Sequence, residues 1–128
     1  MTPQQKLHLK KFLELYPECN PFGNQIWGDY TLNYDDVIRS IARGLFSDVP
    51  VPISDGKEIH AGRIAWLVIN GWNEDPIDID VGVPGFGDVL EIVQDGNHRL
   101  AAAILRGDDF IPVECSGDEE LINEIVVV

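Results

Sequence analysis

The sequence predicts an α+β fold, a small mixed sheet with several packed helices, and three observations point there. The chain has 128 residues, 45% of them hydrophobic and 24% charged, which suits one soluble domain with a core of its own. Its first half carries apolar residues at helical spacing, while its second half carries three short apolar stretches that read as strands. An alanine-rich helical segment separates the second of those stretches from the third.

Taken in order, Thr2 and Pro3 suit the cap and first position of a helix whose apolar side is Leu7, Leu9, Phe12, Leu13 and Leu15 and which ends near Tyr16, before Pro17. Residues 17–32 are rich in Pro, Gly, Asn and aromatics and form a long loop, either functional or pinned to the core by Phe22, Trp27 and Tyr30. Asn33 or Asp35 can cap a second helix bearing Val37, Ile38, Ile41, Leu45 and Phe46, with Arg39 and Arg43 on another face. Val49 to Ile53 is extended, its prolines confining it to an edge or connector, and Ser54 to Lys57 is a turn. A third helix from about His60 to Asn70 buries Ile64, Leu67 and Val68 and ends at Gly71.

The alternation from Ile77 to Val83 predicts a half-buried strand with Asp78 and Asp80 on its polar face, where the two carboxylates are either solvated or, with further oxygen ligands, a cation site. Pro84 to Asp88 is turn chemistry, and Val89 to Gln94 reads as a second strand. A helix follows from about Asn97 to Arg106, closed by Gly107, and then a strand from Phe110 to Cys115 that Pro112 places at an edge. Asp118, Glu119 and Glu120 suit the start of a short terminal helix. The single domain thus divides into a helical part, 1–48, a core, 49–117, and an acidic end, 118–128.

Charge excludes some functions. With 22 acidic and 9 basic residues the formal net charge is −13, so duplex DNA should be repelled. Lys6, Lys10 and Lys11 read as a solvated helix face. Cys19 and Cys115 lack the spacing of a zinc site or a redox pair and are expected to be free thiols, Cys115 a small buried hydrophobe. No apolar run approaches the roughly 20 residues of a membrane span, and the N-terminus lacks a signal peptide's apolar centre. A cytoplasmic protein with no membrane partner is expected.

The chemistry concentrates at Asp95-Gly96-Asn97-His98-Arg99, where the second strand hands over to the alanine-rich helix. Glycine lets backbone approach a ligand closely, and the first N–H groups of the helix lack intrahelical partners, so an anion suits that end. Arg99 offers a planar fork of donors matched to phosphate, and His98 a further donor. Taken singly, Arg99 reads as well as a salt bridge and His98 as a capping or core imidazole. Asp95 is either a turn or cap residue, or a carboxylate that holds magnesium or acts as a base.

This strand, the Asp95-Gly96-Asn97-His98-Arg99-Leu100-Ala101-Ala102-Ala103 helix and the Ile111-Pro112-Val113 strand together resemble the ParB/sulfiredoxin superfamily, from about Arg63 to Gly117. ParB N-terminal domains read Gly-Glu-Arg-Arg before a Leu- and Ala-rich helix, and sulfiredoxins read Gly-Gly-Cys-His-Arg. Gly96, His98 and Arg99 match directly. The resemblance implies a pocket for ATP or another nucleoside triphosphate with Mg²⁺, bound by Gly96, Asn97, His98 and Arg99, with Asp95 and His98 as candidate catalytic groups. The identity of any protein metal ligand stays open.

Departures narrow the expectation. Asn97 stands where sulfiredoxins carry the nucleophilic cysteine, which excludes sulfinic acid reduction. Chromosome partitioning requires a downstream Glu-Asn-x-Gln-Arg motif and a helix-turn-helix module, and neither occurs in these residues. The leading expectation is therefore an NTP-dependent hydrolase or phosphotransferase. The alternatives are a non-catalytic module that recognises a nucleotide or a protein partner, and an acidic inhibitor of a nucleic-acid-binding protein.

Overall fold

Leu7 and Leu9 are both buried, while Lys6 before them and Lys10 after them are exposed and His8 between them is half-buried, an alternation that suits a strand running into a helix better than one continuous helix. In the computed structural model, which describes residues 5–52, 54–72, 75–87, 89 and 91–127, Gln5–His8 is a strand (β1) and Leu9–Leu15 a helix (α1). The helix expected from Thr2 onward is thereby corrected, and Lys6 belongs to a strand. Pairing with a distant strand supplies β1 with hydrogen bonds that local helical propensity cannot outweigh. The helix begins instead at His8, whose ring Nδ1 accepts from the Lys11 backbone N–H at 3.2 Å. The expected Thr2 and Pro3 cap lies outside the described residues.

The remaining elements are α2 (Tyr34–Ala42), α3 (Lys57–Asn70), β2 (Ile77–Asp80), β3 (Val93–Asp95), α4 (Asn97–Arg106), β4 (Phe110–Ser116), α5 (Glu119–Ile125) and β5 (Val126–Val127). The expected α+β class, with a small mixed sheet and several helices, holds. The chain folds into two compact units, residues 1–19, 74–97 and 108–128 in the first and residues 20–73 and 98–107 in the second.

The first unit contains the sheet, in the order β3-β2-β4-β1-β5. The β2–β4 pairing is parallel, and the pairings β2–β3, β1–β4 and β1–β5 are antiparallel. Leu7, Ile77, Ile79, Val93, Ile111 and Val113 are its buried strand residues, with Phe12 of α1 and Ile125 of α5. β4 runs in the interior of the sheet, against the edge position that Pro112 led one to expect. The β2–β4 register begins at Val113, so Pro112 is flanked by a paired strand on one side only, where a missing N–H costs nothing. β3 is shorter than the strand expected from Val89 to Gln94 and starts at Val93; Leu90 of that expected strand lies outside the described residues.

The second unit contains α2, α3 and the 98–106 portion of α4. Asn33 caps α2 through a reciprocal pair, its side chain accepting from Asp36 N at 3.1 Å while Asp36 accepts from Asn33 N at 2.9 Å. The apolar side expected for this helix is only partly inside, since Ile38, Leu45 and Phe46 are exposed; the helix stops at Ala42, and the chain turns at Gly44. Trp27, Leu32, Val37, Ile64, Ala65, Leu67, Ala101 and Ala102 make the core. Trp27 is 2% exposed and donates through Nε1 to the Pro21 carbonyl at 2.9 Å, so this aromatic does pin the 17–32 loop to the core. Among the described residues no helix is long and apolar enough to cross a membrane.

Candidate functional site

The strand that leads into the motif is irregular. Asp95 pairs with Asp78 and Val93 with Ile79, so Gln94 is an extra residue, and its side-chain amide donates back to the Glu91 carbonyl. Such a bulge re-aims the side chains beyond it. Asp95 is exposed, and its partner Asp78 is in register with Glu114 on the other side. Three carboxylates thus lie across neighbouring strands, an arrangement whose repulsion is tolerable only in water. Asp80 instead serves a turn, accepting from Gly82 N at 2.8 Å.

Gly96 has φ +113°, and a Cβ placed on it would overlap Cγ2 of Ile77 and lie 2.7 Å from the Ile77 Cβ. No other residue fits, for steric and conformational reasons together. Helix α4 starts at the next residue, and Leu100, Ala101, Ala102 and Ala103 are its buried side. Asn97, His98 and Arg99 in its first turn are half-buried, beside N–H groups that have no partner within the helix.

His98 is joined to a residue that the sequence left unassigned. His60, in the first turns of α3, is fully buried, and its Nδ1 lies 2.9 Å from Nε2 of His98. The ring centroids are 5.1 Å apart with planes 19° from parallel. That separation is what two imidazoles make when they meet end to end through their nitrogens, so the contact is a near-coplanar N–H···N bond and not a face-to-face stack. The Trp27 ring lies against both, with centroids 5.1 Å from His60 and 4.7 Å from His98. A signal for His60 existed in the chain: it stands four and seven residues before Ile64 and Leu67, on the apolar side of the helix. Trp27 had no periodicity to reveal it.

Burial, then the neighbouring His60, then the charge of Arg63 push the His98 pKa down to about 3. The ring is therefore neutral at pH 7 and meets a ligand as a neutral donor or acceptor. Arg63, the second residue that sequence reasoning missed, donates from Nη1 to the Ser47 carbonyl at 3.3 Å, and its guanidinium lies 5.1 Å from the Trp66 ring centroid. Burial lowers its pKa, Asp48 opposes that, and the charge of Arg99 lowers it further. The charge of Arg99 thus reaches Arg63, and that of Arg63 reaches His98.

The acidity of the chain is not shared evenly. The second unit has six basic residues (Arg39, Arg43, Lys57, Arg63, Arg99, Arg106) and six acidic ones, whereas the first has three lysines and sixteen acidic residues. The whole formal charge of −13 is thus carried by the sheet unit, and His98, Arg99 and Arg63 belong to a unit with none. A cavity of about 240 Å³ in the helical unit is lined by Asp36, Arg39, Ser40, Arg43, Leu45 and Lys57, among others, and by no motif residue. Arg39 and Lys57 already lie 3.8 and 3.4 Å from the Asp36 carboxylate, so an anion there would compete with a resident one. No family model, curated protein or solved structure matches the chain.

Proposed function

We propose that the chain is a ParB/sulfiredoxin-like domain that binds a nucleoside triphosphate, ATP or another, together with Mg²⁺, at Asp95 to Arg99. The observation that carries this reading is the placing of His98 and Arg99 in the first turn of α4, directly after Gly96, with Arg63 near enough for its charge to act on His98 and to feel that of Arg99. Like charges kept together in a chain with few cations repel, and a phosphate beside them turns that repulsion into attraction. Gly96, which no larger residue can replace, and the N-terminus of α4 present backbone of the kind phosphates use.

Recognition without turnover is the second reading, and His98 favours it. An imidazole with a pKa of about 3 is a weak base, and at pH 7 it lacks the second proton that would make it an acid. Hydrolysis or phosphoryl transfer would then rest on Asp95, an exposed carboxylate at the end of β3.

Calorimetric titration with ATP, CTP, GTP and ADP, with and without Mg²⁺, tests the proposal. Binding that Arg99→Ala abolishes is expected, and titrations flat for every nucleotide would refute it. Phosphate release measured on the same samples separates the two readings.

A further inference from the structure

We propose that His60 is a positioning residue that holds His98 in the tautomer with its proton on Nδ1, so that His98 presents a neutral N–H donor to an oxyanion. The inference rests on reading His98, Arg99 and Arg63 as an anion site.

The 2.9 Å contact between His60 Nδ1 and His98 Nε2 contains one proton, so one ring donates and the other accepts. If His98 donates, its Nδ1 is left with a lone pair, which repels phosphate oxygens. If His60 donates, His98 Nε2 accepts and the proton of the neutral ring sits on Nδ1. Phosphate and sulfate oxygens at neutral pH are acceptors, so only the second arrangement lets His98 work with the donor groups of Arg99 and Arg63. The remaining geometry keeps both rings in place. His60 is fully buried, the Trp27 ring packs on both imidazoles, and their nearly coplanar rings meet end to end, so neither can turn over without breaking the contact. The two lone-pair directions oppose rather than converge, which suits a shared proton and not a shared metal ion.

Among the described residues, the groups facing His98 are His60 and Arg63 of α3 and the Trp27 ring, with Arg99 next to it in α4. None is an acid that would draw a second proton onto the imidazole. Oxyanion binding should therefore not strengthen as the pH falls through the ordinary histidine range.

The test is imidazole ¹⁵N NMR on the full chain, without ligand and then titrated with inorganic sulfate, whose charge is constant between pH 5.5 and 7.5. The expected result is a protonated Nδ1 and bare Nε2 on His98, and a sulfate affinity that is flat across that range. His60→Asn, whose side-chain amide can place a donor near the original Nδ1, should keep the His98 signature. His60→Ala should give mixed tautomers and binding that tightens several-fold on acidification. A wild-type His98 with its proton on Nε2 overturns the proposal, whether or not the variants fold. If the Nδ1–H form is found but neither sulfate nor ATP moves the His98 and Arg99 resonances, the tautomer assignment stands and the nucleotide reading fails.

Discussion

Nδ1 of His60 lies 2.9 Å from Nε2 of His98, which makes one hydrogen-bonded unit of two imidazoles 38 residues apart in the chain. One belongs to the motif and the other to the core of the helical unit, so the chemistry of the motif and the stability of that unit are joined. Acid should reveal the connection. The folded pKa of His98 is about 3, below the ordinary value of about 6.5, so the folded state binds fewer protons than the unfolded one as acid is added. The stability that this provides is fully present above about pH 6.5 and is lost progressively as the pH falls toward 3. Urea denaturation of the wild type and of His98→Gln should give curves that converge on acidification. One group sets an upper limit of about 1.4 kcal/mol per pH unit on the difference in slope. Parallel curves between pH 7 and 4.5 would sink the prediction.

Gly96→Ala should cost about 2–4 kcal/mol of stability, since it combines a strained φ with a steric overlap. Shortening the neighbour is not expected to restore it: Ile77→Ala removes Cγ2 but keeps the Cβ at 2.7 Å. Thermal unfolding of the single and double variants decides this, and a double variant more stable than Gly96→Ala would show that the overlap is relieved by truncation.

Arg63→Met should weaken Mg²⁺–ATP binding about tenfold or more, the effect of losing one charge-assisted contact, while Arg39→Met should leave it within about twofold. Arg39 already lies 3.8 Å from Asp36 and lines the other cavity. Equal losses in the two variants would point to long-range charge instead of a contact.

Trp27→Ala should destabilise the protein by about 3–5 kcal/mol, the range for a large buried aromatic. Trp27→Phe preserves most of the packing but leaves the Pro21 carbonyl without its 2.9 Å donor, so a smaller loss of about 1–3 kcal/mol is expected. Chemical denaturation of both variants gives the comparison.

Thiol chemistry should be slow. Burial and then Glu18 push Cys19 up to about 12, and burial with Asp80 and Asp78 pushes Cys115 up to about 11, so little thiolate exists at pH 8. Alkylation by iodoacetamide at that pH should be far slower in the folded protein than in urea, and equal rates would contradict it.

The sequence by itself determined what depends on short-range patterns. The cap at Asn33, one of two residues offered for it, the helix closed at Gly71, the alternation that buries Ile77 and Ile79, and the helix opening at Asn97 were all legible, because each follows from a few adjacent residues. So was the place of Gly96 at the junction. Tertiary structure alone decided what depends on distant partners. It made residues 5–8 a strand, because β4 offers hydrogen bonds that local helical spacing cannot foresee. It put β4 in the interior of the sheet, where Pro112 is tolerated because the β2 register starts one residue later. It joined His60 and Arg63 of α3 to the first turn of α4, and that changed the motif most. A histidine read as a further donor beside Arg99 became a neutral ring tied to a buried partner, since burial and neighbouring charge, not residue type, set its protonation.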